Sequence, residues 1–215
     1  MKLTREIAEF EAEKQRTHDR DVLDMIDLTT ADLVATGIAE RALKPGDAAP
    51  DFTLPNALGK PVGLGELIAD GPVILNFYRG SWCPYCNLEL RAYQRELPRI
   101  RERGAGLAAI SPMVPDESLS VAEKNALEFP VLSDPGCTVA EAFGIVFTVD
   151  QRIQEMYVTR LGNDLPKLNG DDTFRLPLAA TYVIGKDGRI EYAYVEADYR
   201  VRADPEEVIA ALSGI

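Results

Sequence analysis

Two cysteines separated by two residues, Cys83 and Cys86, are the side chains best suited to chemistry in this sequence. They follow an apolar run, and Pro84 suits the first turn of a helix, where its missing N–H would have no partner. Cys83 is therefore predicted at a helix N-terminus, where unpaired N–H groups and the helix dipole favour an anion. A cysteine in that place, with a second cysteine one turn away, is expected to have a lowered pKa and a nucleophilic thiolate. Cys86 lies deeper in the predicted helix and suits a resolving thiol.

The same pair admits two other interpretations. A structural zinc site needs four protein ligands, and only Cys137 and His18 remain as soft ligands, neither at metal-binding spacing. Alternatively, both cysteines are inert core residues, because free cysteine is often buried as a small hydrophobe. The strand, turn and helix around the pair favour redox chemistry over both interpretations. No metal and no cofactor is expected.

The elements on either side of the pair place it at one edge of a sheet. Residues Val73 to Tyr78 are apolar and β-prone, as in a strand covered on both faces. Gly80 ends this strand, and helix formers continue from Cys83 to about Arg103. Gly106 to Ser111 form a second buried strand. Strand, helix and strand in this order predict a right-handed crossover and a parallel pair, with Cys83 beyond the carboxyl end of the first strand.

The rest of the chain continues with short strands and helices. Turn residues and apolar periodicity predict helices over 115–127, 146–161 and 208–212, a strand over 129–132, a polar loop over 162–174, and a hairpin formed by 181–184 and 189–195.

Three segments carry a resemblance to a known family: Pro45 to Leu54, Gly59 to Val62, and Phe77 to Cys86. They resemble the peroxiredoxin-like (alkyl hydroperoxide reductase / thiol-specific antioxidant) family of the thioredoxin superfamily. The Cys-Pro-Tyr-Cys tetrapeptide is also typical of glutaredoxin active sites. The resemblance implies an α/β thioredoxin-like fold, a central mixed sheet flanked by helices, over residues 45–215. Residues 1–44 are then a helical N-terminal arm.

The resemblance implies a thiol-dependent peroxidase. Cys83 would attack hydrogen peroxide or an organic hydroperoxide, Cys86 would resolve the product, and a thioredoxin, glutaredoxin or glutathione system would regenerate the dithiol. A first alternative is a thiol-disulfide oxidoreductase that uses the same two cysteines on protein disulfides. A second alternative is a non-catalytic redox sensor that binds a partner when it is oxidised.

The sequence departs from ordinary peroxiredoxins at two positions. Gly80 stands where such enzymes place a threonine, three residues before the attacking cysteine, and Ala179 stands where they place an arginine ahead of the hairpin. Arg175 or Pro177 would have to replace that arginine through a shifted backbone. The candidates for stabilising the thiolate or holding peroxide are Arg79, Gly80, Ser81, Trp82, Pro84, Tyr85 and Arg175. Cys137, also near a predicted helix start, is a possible alternative thiol, although a structural role is favoured.

Several of these candidates also have plainer interpretations. Arg79 is equally well explained as a surface arginine paired with a carboxylate. Trp82 and Tyr85 are predicted to form an apolar rim where substrate docks, unless they are packing residues. Glu89, in the helix after the motif, would tune the resolving step, although a solvated helix charge is the commoner explanation.

The arm carries the apolar residues of amphipathic helices, with Thr29 or Thr30 as the expected cap of a second helix. Its apolar stripe covers either its own domain or another subunit, so a homodimer is left open. His18, in the polar middle of the arm, is expected to be exposed and not catalytic.

The composition of the chain limits which binding partners and which cellular compartment we expect. The chain has 215 residues, 46% of them hydrophobic, and a formal charge of −12 from 35 acidic and 23 basic residues. This acidity disfavours nucleic acid and anionic membranes as partners. The charged start is unlike a signal peptide, and a close cysteine pair fits a reducing compartment. We therefore expect a cytoplasmic protein.

Overall fold

The computed structural model describes residues 2–215 and begins with an N-terminal arm. The arm consists of α1, Leu3–Thr17, then α2, Arg20–Ala35, and a short 3-10 turn, Ile38–Arg41. The prediction that Thr29 or Thr30 caps the second helix is wrong, because α2 already begins after Asp19. Thr29 lies inside α2 and donates its hydroxyl to the Met25 carbonyl at 2.9 Å.

The domain after the arm alternates strands and helices. Its elements are β1 Thr53–Pro55, β2 Pro61–Gly63, α3 Leu64–Leu67, β3 Val73–Phe77, α4 Pro84–Glu102, β4 Gly106–Ser111, α5 Pro115–Lys124, β5 Val131–Ser133, α6 Thr138–Ala142, β6 Val146–Thr148, α7 Gln151–Thr159, α8 Leu165–Asn169, β7 Arg175–Pro177, β8 Ala179–Ile184, β9 Ile190–Glu196 and α9 Pro205–Ala211. Across residues 2–215, no helix is both long enough and apolar enough to cross a membrane.

Within residues 2–215, the central sheet has five strands in the order β5-β4-β3-β8-β9. β3 lies at its centre, parallel to β4 and antiparallel to β8. β4 also pairs in parallel with β5, while β8 and β9 form the antiparallel hairpin. The predicted mixed sheet flanked by helices is confirmed, including the crossover through α4.

Two predictions between residues 146 and 174 are wrong. The segment predicted as one helix from 146 to 161 divides into β6 and α7, because β6 pairs antiparallel with β7. The carboxylate of Asp150 then starts α7 by accepting the Arg152 N–H at 2.8 Å. The predicted loop over 162–174 contains α8, which Asp164 caps by accepting the Lys167 N–H at 3.2 Å.

The two faces of β3 border two separate cores. Leu75 belongs to one core together with Cys137. Ile74, one residue earlier, belongs to the other core together with Cys83 and Cys86. Because successive side chains of a strand point to opposite faces, the sheet separates Cys137 from the cysteine pair.

The arm packs on its own domain. Helix α1 lies against α4, and α2 lies against α7. Ion pairs join the arm to these helices, with Glu6 2.6 Å from Arg95 and Asp21 3.2 Å from Arg160. The sequence left two surfaces open for the apolar stripe of the arm, its own domain or another subunit. In this structure the arm covers its own domain.

Candidate active site

Cys83 is the residue immediately before α4, and its backbone is extended, with φ −87° and ψ 111°. The chain reaches it from the carboxyl end of β3 through Gly80, whose φ is +150°. A Cβ at residue 80 would lie 2.8 Å from Cδ1 of Trp82 and closer still to its indole nitrogen. Glycine is therefore required here, both by the backbone conformation and by the position of the Trp82 ring.

Hydrogen bonds from side-chain amides stabilise the loop that carries Cys83. Asn87, in the first turns of α4, donates to the carbonyl oxygens of Ser81 at 2.7 Å and Cys83 at 3.0 Å. Asn125 donates in turn to the Asn87 side-chain oxygen at 3.0 Å. The Ser81 N–H lies 3.1 Å from the sulfur of Met113. Ser81 thus contributes through its backbone, and the loop is held from both sides.

Both sulfurs of the pair are buried, with 1% of Cys83 and 0% of Cys86 exposed. Cys86 receives a hydrogen bond from Arg202, whose Nη2 lies 3.4 Å from Sγ. The same guanidinium forms a buried ion pair with Glu89. Glu89 is therefore not a solvated helix charge, because it is buried and paired with Arg202 directly behind the resolving position.

The prediction of a lowered pKa for Cys83 is wrong. Burial raises its pKa, and the hydrogen bond to Cys86 and the charge on that sulfur raise it further. Burial also opposes ionisation of Cys86, but the hydrogen bond from Cys83 and the charges of Arg202 and Arg79 outweigh it and lower the Cys86 pKa. The two thiols titrate as a pair. The charges of Arg79 and Arg202 favour the loss of one proton from this pair.

Arg79 is not a surface arginine, since only 4% of it is exposed. Its Nη2 donates to the hydroxyl of Tyr157. Its guanidinium carbon lies 4.1 Å from the ring centroid of Tyr199 and 4.8 Å from that of Trp82. Aromatic rings replace a carboxylate as its neighbours, so its charge remains available to the cysteine pair.

A cavity of about 180 Å³ opens beside Cys83. It lies between the arm and the active-site loop, and its walls include Phe10, Lys14, His18, Arg79, Trp82, Cys83, Pro84, Tyr85, Tyr157 and Tyr199. Cys83 is therefore the sulfur that faces the cavity, while Cys86 lies behind it. His18 is exposed, as predicted, but it stands at the cavity wall.

Tyr85 is covered by the arm and does not form an open rim. Its hydroxyl donates to the Glu11 carboxylate and accepts from Lys14 Nζ at 3.2 Å. Its ring packs edge-on against Phe10, with centroids 5.2 Å apart. Trp82 is half-buried and packs edge-on against Tyr157 at 5.2 Å. The predicted apolar rim is thus a covered pocket.

Arg175 does not belong to this site. It forms an ion pair with Glu141 at 2.7 Å and donates to the Gly136 carbonyl at 3.1 Å, beside Cys137. The described chain around Arg175 does not show the backbone shift that would bring this side chain to Cys83. Ala179 instead lines a second cavity, of about 230 Å³, in which Pro177 and Arg79 also form part of the wall.

Sequence reasoning missed three residues of the site, Tyr157, Tyr199 and Arg202, and it did not predict that Glu89 is buried. Tyr199 and Arg202 come from the segment between β9 and α9. Their only signal in the sequence is a pair of arginines, Arg200 and Arg202, after a strand. This pattern alone does not distinguish a surface arginine from one that reaches a buried sulfur.

Known proteins resemble this chain in sequence and in fold. The sequence model of the AhpC/TSA family matches residues 45–193. The chain belongs to the AhpC/TSA family. A relative from Mycobacterium tuberculosis (strain ATCC 25618 / H37Rv), Rv2521, is 30% identical over 161 residues, which are 75% of this chain and 88% of the relative. Peroxiredoxin Bcp of Escherichia coli (strain K12) is 32% identical over 103 residues, 48% of this chain and 65% of that protein.

Solved structures of the AhpC/TSA family show the same architecture. Peroxidoxin BcpB from Mycobacterium tuberculosis superposes with a TM-score of 0.62 and 27% identity, over 80% of this chain and 98% of that chain. Enterococcus faecalis AhpC has a TM-score of 0.60 at 17% identity, over 80% and 90% of the two chains, and shows the fold alone. This AhpC/TSA member is an oxidoreductase with a thioredoxin-like fold, a thiol-dependent peroxidase.

Proposed function

We propose that Cys83 reduces hydroperoxides and that Cys86 resolves the oxidised sulfur within the same helix. The observation that carries this proposal is the cavity beside Cys83, which is bordered by the positive charge of Arg79 and backed by the Cys86 sulfur. The reaction starts when the Cys83 proton passes along the hydrogen bond to Cys86. Cys83 then becomes the thiolate that faces the cavity.

The first step breaks the O–O bond. The Cys83 thiolate attacks one oxygen of the hydroperoxide and becomes a sulfenic acid, while the other oxygen leaves as an alkoxide or hydroxide and takes a proton from water. Arg79 stabilises the negative charge on the departing oxygen, since its guanidinium is shielded from bulk water. The sulfur is oxidised by two electrons, and the peroxide is reduced by two.

The second step closes the disulfide. The Cys86 thiol condenses with the Cys83 sulfenic acid, a sulfur–sulfur bond forms, and water is released. An external dithiol of the thioredoxin type, or glutathione, then reduces the disulfide by thiol exchange. A close cysteine pair in a protein of this kind is typical of a reducing compartment, and we place the cycle in the cytoplasm.

The second cavity favours an organic hydroperoxide over hydrogen peroxide. Its walls include apolar side chains of α2, β6 and α7, among them Ile26, Phe147 and Ile153, together with several threonines and two aspartates. Arg79 lines this cavity and also the one beside Cys83. An apolar group in the second cavity would therefore extend away from a peroxide held next to Arg79 and Cys83.

Thiol-disulfide exchange is the second candidate function. It is favoured by the lowered pKa of Cys86, because a hydrogen-bonded thiol and thiolate pair suits exchange with a disulfide. The burial of Cys83 beneath the arm disfavours docking of a large protein disulfide.

A stopped-flow trace of Trp82 fluorescence tests these functions, since Trp82 is the single tryptophan and adjoins Cys83. Reduced protein is mixed separately with hydrogen peroxide, an organic hydroperoxide and a small disulfide. The proposal predicts a peroxide rate far above that of a free thiolate, and the highest rate with the organic hydroperoxide. A slow reaction with both peroxides beside rapid exchange with the disulfide would favour the second candidate.

A further inference from the structure

Two N–H donors beside Cys83 are buried and have no hydrogen-bond partner among residues 2–215. They are Nε of Arg79 and Nε1 of Trp82. A buried donor without an acceptor costs free energy, so its persistence needs an explanation. Both side chains line the cavity that Cys83 faces. Two side chains on the cavity wall thus carry N–H groups without an acceptor in the described chain.

The surrounding contacts fix where these donors lie. Tyr157 accepts from Nη2 of Arg79, which leaves the Nε edge of the guanidinium for another acceptor. The guanidinium carbon lies 4.8 Å from the centroid of the Trp82 ring, so the two donor groups are neighbours. Gly80 has no side chain and leaves room for the indole nitrogen directly over the active-site loop. The Trp82 ring also packs edge-on against Tyr157.

We propose that the indole N–H of Trp82, together with Nε of Arg79, donates hydrogen bonds to the peroxide oxygen that departs from Cys83. This inference rests on the proposed function. When the thiolate forms its bond to one oxygen and the O–O bond breaks, the electron pair moves to the second oxygen. Two donors already in place stabilise this oxygen most when its charge is largest, which lowers the barrier. The oxygen then leaves as an alcohol or water after taking a proton from solvent.

The test replaces only the N–H group. The indole of Trp82 is exchanged for benzothiophene by incorporating 3-benzothienylalanine, which keeps the size and shape of the ring and lacks the donor. Trp82→Phe is the second variant, made with ordinary amino acids. For each protein, the rate of reaction with hydrogen peroxide is measured beside the rate of alkylation by iodoacetamide. Alkylation reports thiolate reactivity without developing charge on an oxygen.

Both variants are expected to react with peroxide about 100-fold more slowly, with the alkylation rate unchanged. An unchanged peroxide rate would overturn the inference and leave the proposed function standing. An equal fall in both rates would also overturn it, because Trp82 would then act on the thiolate or the fold. If the unmodified protein reduces peroxide no faster than a free thiolate, the proposed function fails and the inference fails with it.

Discussion

Cys83 and Cys137 occupy similar positions on opposite faces of the central sheet. Each is the last residue before a helix, and each is 1% exposed. The helices differ, however, because α4 has 19 residues whereas α6 has five. Cys137 also has a left-handed backbone, with φ +59°. A position before a helix is thus common to both cysteines and does not by itself make either one reactive.

The charges around the two cysteines are opposite. Burial raises the pKa of Cys137 to about 12, and the carboxylates of Asp134, Asp171 and Glu141 also act to raise it. Arg175 lies near Cys137, but its guanidinium is paired with Glu141. The cysteine pair has instead two buried arginines and a second thiol. Desolvated cations and a partner sulfur, and not the position before a helix, therefore distinguish the cysteine pair from Cys137.

Replacing each of the two cysteines gives the largest contrast. Cys83→Ser is expected to abolish peroxide consumption, because serine cannot supply the attacking sulfur. Cys137→Ser is expected to retain the activity, since the sheet separates Cys137 from the cavity. Peroxide consumption with a thiol reductant measures both. Equal losses of peroxide consumption in the two variants would mean that Cys137 is also needed for the reaction, although it lies on the opposite face of the sheet.

Replacing the arginine beside each cysteine gives the next largest contrast. Arg79→Leu is expected to slow the peroxide reaction by about 10²–10³, because it removes the charge that faces the departing oxygen. Arg175→Leu is the matched control and is expected to leave the rate unchanged, as that arginine pairs with Glu141. The second-order rate with peroxide is the measurement. A slower reaction in the control would place Arg175 at the active site.

Glu89→Gln tests the buried pair behind Cys86 through the pH dependence of stability. Burial, opposed by Arg202, raises the Glu89 pKa from 4.5 to about 7. Between these values the unfolded chain is ionised and the folded chain holds the proton, so the unfolding free energy of the natural protein falls as pH rises. The unfolding free energy lost in this way is about 3 kcal/mol at most, and Glu89→Gln does not show this loss because glutamine does not ionise.

Urea unfolding between pH 4.5 and 7 measures this difference. The stability of the natural protein relative to Glu89→Gln is expected to fall through this window and to stay constant above it. Glu191→Gln, at an exposed position of β9, controls for the general effect of removing a carboxylate. A constant difference across the window would mean that Glu89 is ionised throughout.

The smallest effect is expected at the arm. Tyr85→Phe removes the hydroxyl that contacts Glu11 and Lys14 but keeps the ring against Phe10. We expect a loss of about 1 kcal/mol of unfolding free energy. Tyr182→Phe is the control, because the Tyr182 hydroxyl is buried without a partner among residues 2–215 and its removal should cost nothing. Equal losses would show that the arm contact is not stabilising.

The sequence was sufficient where structure is local. The apolar run before Gly80, the proline after Cys83 and the helix formers that follow predicted β3, α4 and the parallel strand β4, because propensity and periodicity act over a few residues. It was insufficient between 146 and 161, where pairing of β6 with β7 overrides a helical pattern.

The chemistry of the site was predictable only in part. The cysteines and Arg79 lie within eight residues of one another, so the motif shows them together. Arg202 is 116 residues from Cys86, and Tyr157 is 78 residues from Arg79. No local sequence pattern predicts contacts between residues so far apart in the chain. The predicted direction of the Cys83 pKa shift was wrong because burial raises this pKa, and the depth of burial depends on segments far away in the sequence.

The most direct test of the central claim is to map the thiols after one equivalent of peroxide. Reduced protein is oxidised, its remaining thiols are alkylated, and the peptides are identified by mass. We predict a disulfide between Cys83 and Cys86, with Cys137 alkylated, and a Cys83 sulfenic acid or mixed disulfide in Cys86→Ser. A disulfide that contains Cys137, or a Cys83 sulfenic acid that persists beside a free Cys86, would contradict it.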